Sequence, residues 1–365
     1  MGDPVIVAAR RTPLAVRGRG LARLDVAALG AAVVSAVVSD AGHPPIADVV
    51  MGNCTGPGGN VGRLAALAAG LGTEVPGGTV DRQCGSGLSA IMDAANAVRA
   101  DGFARVAGGV ESASTAPVRQ LGGIAYARAP FAPAGFADPD MVRAADDLAR
   151  HDGLTRDRQD AFAARSEARA VAARAAGRFD VEIVPVAGVS RDEGAGASAR
   201  VLRKLPPLFP GGTVTAGSST RIGDGAAAVL VAPAGAGPGL AFRAAAITGG
   251  DPALPGLGAA PAIASVLGRA GIGADDLAAI ELVEAFAAQS IAVLSRIGIA
   301  DDDARVCADG GALSLGHPWG ASGAIAVVRV FARLVGRSAP AGTLGLAAAS
   351  VGGGLGVAAV FEVVR

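Results

Sequence analysis

Val80-Asp81-Arg82-Gln83-Cys84-Gly85-Ser86-Gly87-Leu88 leads from an apolar strand through a cysteine into the glycine-spaced opening of a helix. A second stretch, Gly320-Ala321-Ser322-Gly323, opens another apolar helix in the same way. The periodicity predicts a helix over Ser86 to Arg99, then a strand over Phe103 to Ala107 that ends at Gly108-Gly109. After the second helix, a strand over Thr343 to Ala349 leads to Gly352-Gly353. The echo predicts an internal duplication with two similar sites face to face over one crevice. Working outward, Val5 to Ala8 and Asp48 to Met51 read as strands, and Leu24 to Ala41 and Asn60 to Leu71 as helices, the former stopped by Gly42. Between about Thr115 and Pro210 the texture changes to charged helices broken by glycine and proline. Chief among them is Arg156 to Ala176, with Thr155 as its N-cap, and the whole reads as an insertion outside the core. Strands return at Ala226 to Val231, Ala241 to Thr248, Ile280 to Val283 and Val357 to Val363. Strands alternating with helices make this an α/β chain.

Composition narrows the function classes. The 365 residues are 51% hydrophobic and 18% charged, which excludes an extended disordered protein. The 55 glycines and 21 prolines are too irregular for collagen. With 32 basic and 32 acidic residues the net charge is zero, so no nucleic-acid or membrane-surface partner is expected. Cys54, Cys84 and Cys307 cannot build a disulfide framework in a chain this long. The start, from Met1 to Val7, lacks the basic flank and apolar run of a secretory signal, and no apolar stretch reaches membrane-spanning length. The expectation is a soluble, reduced, cytoplasmic protein that holds no metal.

Three places could carry chemistry. Cys84 stands where a strand meets the first turn of a helix, and the positive end of the helix dipole is expected to lower its pKa and favour thiolate. A packing role fits a cysteine equally well, and is the reading for Cys54 and Cys307. His317 is framed by Leu315-Gly316 and Pro318-Trp319-Gly320 just before a helix, whereas His43 and His151 lie in surface contexts. The loop Ser350-Val351-Gly352-Gly353-Gly354 presents successive backbone N–H groups that could hold a carbonyl oxygen, or form a plain hairpin turn. No Lys-Ser/Thr pair follows these glycines, against a phosphate-binding loop.

Together these segments resemble the thiolase family. Gln83-Cys84-Gly85-Ser86-Gly87 is similar to its nucleophile segment, followed by Gly108-Gly109-Val110-Glu111-Ser112, and Gly316-His317-Pro318-Trp319-Gly320-Ala321-Ser322-Gly323 to its histidine segment. Glu284-Ala285-Phe286 matches the tail of its Asn-Glu-Ala-Phe motif, and Gly212 to Gly217 with Asp224-Gly225-Ala226 the return to the core. The resemblance implies a thiolase-like α/β fold of two duplicated halves in five layers. It divides the chain into 1–115 (first part of the N-terminal half), 116–210 (a loop domain over the active site), 211–240 (return of that half) and 241–365 (the C-terminal half). It implies homodimers or homotetramers and no permanently bound cofactor, with a coenzyme A thioester, or an acyl-carrier thioester, as substrate. Cys84 would take the acyl group, His317 would activate the thiol, and the amides of Cys84 and Gly352 would bind the acyl-enzyme oxygen. Thr220, Met141 and Phe286 match positions along the pantetheine and acyl path.

Departures from the pattern alter what the resemblance implies. Val283 replaces the asparagine that, in the family, holds a carbonyl-polarising water. Ser350 replaces the second cysteine, which shuttles the α-proton in carbon–carbon chemistry; a serine hydroxyl is a far weaker acid. Arg221 replaces a small residue, and Trp319 an aliphatic one beside His317. The main expectation is an acyltransferase forming an acyl-Cys84 intermediate, nominally an acetyl-CoA C-acetyltransferase or 3-oxoacyl-CoA thiolase with reduced or altered Claisen and thiolysis activity. The alternatives are acyl transfer to an oxygen, nitrogen or water nucleophile without carbon–carbon chemistry, and a non-catalytic subunit that stabilises a partner protein.

Overall fold

The computed structural model describes residues 2–126, 128–194 and 198–365. Met1, Ala127 and residues 195–197, which fall in the expected segments 1–115 and 116–210, lie outside the described residues. The chain begins with β1 (Val5–Arg11), β2 (Ala15–Val16), α1 (Val26–Asp40), β3 (Asp48–Gly52), α2 (Val61–Ala68), β4 (Gly77–Val80), α3 (Ser86–Asp101) and β5 (Arg105–Ser112). A long excursion carries β6 (Arg119–Leu121), β7 (Ile124–Tyr126), α4 (Met141–His151), α5 (Arg156–Ala175) and α6 (Ala199–Leu202) before β8 (Gly223–Ala232). The rest is β9 (Gly239–Thr248), α7 (Ala259–Ala270), β10 (Leu277–Leu282), α8 (Ala287–Arg296), α9 (Ala312–Leu315), α10 (Trp319–Leu334), β11 (Leu344–Val351) and β12 (Leu355–Val364).

The duplication is visible in the strand order. The first half runs β4-β3-β5-β8-β1, with two parallel pairings followed by two antiparallel ones. The second runs β10-β11-β12-β9, extended beyond β10 by a single parallel bridge from Ile280 to Val306, and repeats the same sequence of pairings. The first strand of each half meets the other antiparallel, Val5 opposite Ala241 and Ile6 opposite Leu240, joining the halves into one sheet.

Side-chain alternation then sets five layers. In β8, Ala228 and Leu230 face α1 and α2, while Ala227, Val229 and Val231 face α3 and α10. In β12, Val357, Ala359 and Phe361 face that same central layer, while Ala358 and Val360 face α7 and α8. Strands buried on both faces read as continuous apolar runs, which is why β8 is buried along its whole length. Among the described residues no helix is long and apolar enough to cross a membrane.

One strand departs from the sequence reading. β5 does not stop at Gly108-Gly109 but runs through them to Ser112. A Cβ on Gly108 would strike the backbone of Ala227 and Ala228, and one on Gly109 the backbone of Gly320 and Ala321. The pair marks close approaches, of β8 at Gly108 and of α10 at Gly109, rather than a turn.

The excursion is tied to both halves by buried charge. Arg11, at the end of β1, donates to Glu182 at 2.7 Å and Asp192 at 2.6 Å, and Arg329 on α10 donates to Glu182 and Asp309. The two guanidinium groups lie 5.3 and 4.9 Å from the ring centroid of Phe179. The segment Glu182 to Val184 also pairs with β1, Arg11 N–H donating to the Glu182 carbonyl and Val184 N–H to that of Arg11.

Candidate active site

The central helices supply the site. Gly87 faces the Gly320 carbonyl and Gly323 faces Leu88, with imaginary Cβ atoms 2.8 Å from each neighbour. No side chain fits there, so the first turns of α3 and α10 cross in direct contact. This brings Cys84, just before α3, to His317, just before α10: Cys84 Sγ and His317 Nε2 are 3.2 Å apart.

Cys84 sits in a tight 3₁₀ turn, Gln83 to Gly85, that feeds α3. Gln83 holds a φ of 45°, a left-handed conformation that costs a non-glycine residue about 1–2 kcal/mol. Ser86 staples the turn, its hydroxyl accepting from Arg82 N–H at 2.8 Å and donating to the Gln83 carbonyl at 2.6 Å. The thiol differs from the sequence expectation. Burial pushes it up to about 12, with backbone hydrogen bonding acting in the opposite direction and Glu111 and Asp81 adding to the rise. Desolvation outweighs the helix terminus because, among the described residues, no cation acts on the sulfur.

His317 is buried, and burial holds its imidazole down at about 4. The resting pair is therefore a neutral thiol and a neutral imidazole. The tautomer follows from the next contact. Ser322 donates its hydroxyl to the Pro318 carbonyl at 3.2 Å, so it accepts from His317 Nδ1–H at 2.6 Å, leaving the Nε2 lone pair aimed at Cys84. Ser322→Ala should slow acylation of Cys84 roughly tenfold, the worth of one oriented hydrogen bond. Single-turnover mass spectrometry would read this, and an unchanged rate would remove Ser322 from the arrangement.

Glu111 braces the two halves. Its carboxylate accepts from the N–H of Cys54, Thr55 and Gly320, each at 3.0 Å, from Asn53 Nδ2 at 3.2 Å, and from the Thr55 hydroxyl. It thereby ties the start of α10 to the loop after β3. Ser322 and Glu111 lie inside the recognised motifs, but the sequence assigns them no role: the Ser322 contact depends on how the His317 turn folds back on α10, and Glu111 reaches the loop after β3 and, across the halves, Gly320.

A sequence model described as the thiolase N-terminal domain matches residues 4–235, and one described as the thiolase C-terminal domain matches residues 238–363. The chain belongs to the thiolase family. It is 39% identical to an acetyl-CoA acetyltransferase of Cupriavidus necator, covering 99% of this chain and 100% of that one. It is 38% identical to a beta-ketoadipyl-CoA thiolase of Acinetobacter baylyi, with the same coverage. The crystal structure of an acetyl-CoA acetyltransferase from Bacillus anthracis superposes with a TM-score of 0.91 at 32% identity, covering 100% of this chain and 99% of that one.

In this thiolase chain the other expected site residues are placed as follows. Ser350 is engaged by its surroundings: it donates to the Gly256 carbonyl at 2.7 Å and accepts from Ala259 N–H at 3.0 Å, bracing the entry to α7. Val283 stands just past β10 and lines, with Ser322 and Arg329, a cavity of about 30 Å³. Gly352 follows β11, whose Val351 packs against Gly85 of the cysteine turn. Arg221 gives its carbonyl to His317 N–H at 2.9 Å and its guanidinium to the Ser314 carbonyl at 2.9 Å. Thr220 donates its hydroxyl to the Ala312 carbonyl at 2.5 Å, and its N–H to the Ala285 carbonyl at 3.0 Å. Phe286 bridges to Ser219, half-buried Met141 opens α4, and half-buried Trp319 opens α10. Among the described residues no cluster of His, Cys, Asp and Glu could hold a metal ion.

Glu284, next to Val283, is buried and lifted from 4.5 to about 7, chiefly by desolvation; a 2.7 Å hydrogen bond from Ser166 opposes the rise and Glu281 adds to it. A raised carboxyl favours the protonated fold. Its contribution is complete below 4.5 and is lost as pH rises through about 7. Glu284→Gln stays neutral, so its stability relative to the unaltered protein should improve by roughly 3 kcal/mol between pH 5 and 8. Denaturant melts at the two pH values measure this, and a pH-independent difference would contradict it.

Proposed function

We propose that this chain is a thiolase-type acyltransferase in which Cys84 takes the acyl group of a coenzyme A thioester. The observation that carries the reading is the 3.2 Å contact between Cys84 Sγ and a buried, neutral His317 with its Nε2 lone pair free to accept. With the thiol up at about 12, ionisation ahead of attack is unfavourable. The proton passes from Sγ to Nε2 as the sulfur bonds to the thioester carbonyl. The carbon–sulfur bond to coenzyme A then breaks, and the departing thiolate takes the proton back from the imidazolium. The amides of Cys84 and Gly352 hold the carbonyl oxygen while its charge develops.

The bonding of Ser350 favours a second part to this proposal. Its hydroxyl is committed to Gly256 and Ala259, and Val283 offers no hydrogen bond. Transfer of the acyl group to an oxygen, nitrogen or water nucleophile, which needs neither residue as acid, base or donor, is favoured over carbon–carbon chemistry. The proposal includes assembly as a homodimer or homotetramer: β4 is an edge strand, and Leu64 and Leu67 on the neighbouring α2 are exposed.

Intact-mass analysis after incubation with a panel of acyl-CoAs tests the reading. An adduct mapping to Cys84 and absent from Cys84→Ala is expected. No adduct from any acyl-CoA or acyl-carrier thioester would leave the non-catalytic subunit as the better account.

A further inference from the structure

The glycine loop beside Cys84 is covered by one aromatic side chain from the excursion. Two ring carbons of Phe131 lie 2.7 Å from where a Cβ on Gly352 would stand, and the Phe131 carbonyl oxygen lies 3.0 Å from the same point on Gly353. Gly352 is thus glycine because Phe131 occupies the space. Gly352 directly follows Val351, whose methyl group faces Gly85 of the cysteine turn at 2.9 Å from that residue's imaginary Cβ.

Phe131 is held in place from three sides. Its N–H points at both carboxylate oxygens of Asp138, each at 3.3 Å. Arg128 donates to Asp138 Oδ1 at 2.7 Å and to the Asp138 carbonyl at 3.1 Å. The same guanidinium stacks over the Phe131 ring, 4.5 Å from its centroid. A side chain fixed by an ion pair, a backbone hydrogen bond and a cation–π contact is a wall rather than a loose flap.

We propose that Phe131 closes the acyl end of the Cys84 site and restricts it to short acyl groups. The inference rests on the reading of Cys84 as the acyl acceptor. A longer chain leaving the carbonyl beside Gly352 meets the ring and must displace it together with the Arg128–Asp138 pair. Removing the ring opens the space over Gly352 without touching Cys84 or His317.

The test compares the unaltered protein with Phe131→Ala and the milder Phe131→Leu. Acylation of Cys84 by acetyl-, butyryl- and octanoyl-CoA is followed by intact mass. Alkylation of the same thiol by iodoacetamide and by an N-octyl iodoacetamide is followed in parallel. The unaltered protein should favour acetyl over octanoyl by roughly a hundredfold, the discrimination a closed apolar pocket supplies. In Phe131→Ala that ratio should shrink at least about tenfold, with Phe131→Leu between the two. Octanoyl transfer as fast as acetyl in the unaltered protein, or a ratio unmoved by both variants, would overturn the proposal. If no thioester acylates Cys84, the functional reading fails and the alkylation ratio alone decides on Phe131, by the same two outcomes.

Discussion

The Val283→Asn, Ser350→Cys double variant is expected to thiolyse acetoacetyl-CoA at least about a hundredfold faster than the unaltered protein, because a positioned acid/base contributes ~10²–10⁴-fold. Ser350 now donates to one backbone carbonyl and accepts from one backbone amide, so no proton is free for the substrate. A thiol there is a weaker hydrogen bonder and a far better acid. Leaving the Gly256 and Ala259 groups short of a partner costs about 1–3 kcal/mol of stability. Val283→Asn is a modest change in volume, beside a cavity of about 30 Å³ also lined by Ser322 and Arg329. Among the described residues the buried Arg329 Nε has no partner, so a water there would find polar contacts. The two groups serve the same step, and their effects should exceed the sum of the single changes. Thiolysis, read beside deuterium exchange at the α-carbon of acetyl-CoA, measures the gain. Robust thiolysis by the unaltered protein would end the claim that these positions disable that chemistry.

Arg329→Met should cost roughly 3 kcal/mol, the low end for breaking a buried pair, because it takes one guanidinium away from Glu182 and Asp309, each 1% exposed. Asp309 keeps Arg178 and Arg337, and Glu182 keeps Arg11, so the loss is of the link between α10 and the excursion rather than of every partner. The contrast is Arg10→Met on the same strand as Arg11. Its pair with Asp40 is partly exposed, and its removal should cost under about 1 kcal/mol. Denaturant unfolding of the two variants, with Cys84 alkylation as a second readout, separates a buried network from a surface pair. Equal costs would show that the buried ions contribute nothing beyond surface pairing.

Much of the fold was legible because local rules act over short spans. Apolar runs of strand length, Thr155 as an N-cap, and the Cys84 and Ser322 helix openings are all set by neighbours within a few residues. The duplication was legible for the same reason, since each half repeats one local pattern. Its strand order was not, because pairing β4-β3-β5-β8-β1 joins residues up to more than two hundred positions apart. Gly108-Gly109 misled because a glycine pair signals either a turn or a close approach, and only the positions of β8 and α10 distinguish them.

By itself the sequence determined the residue types at the site: one cysteine and one histidine, each before a helix, with valine and serine at two positions where the thiolase pattern has asparagine and cysteine. Tertiary structure alone decided their state. Burial pushes the thiol up to about 12 and the imidazole down to about 4, reversing the shift a helix terminus would give an exposed cysteine. The engagement of Ser350 by Gly256 and Ala259, the bracing by Glu111 and the ring of Phe131 over Gly352 likewise join residues remote in the chain. Dielectric surroundings and hydrogen-bond partners are properties of the packed neighbourhood, and a one-dimensional pattern carries no record of which distant residues will fill it.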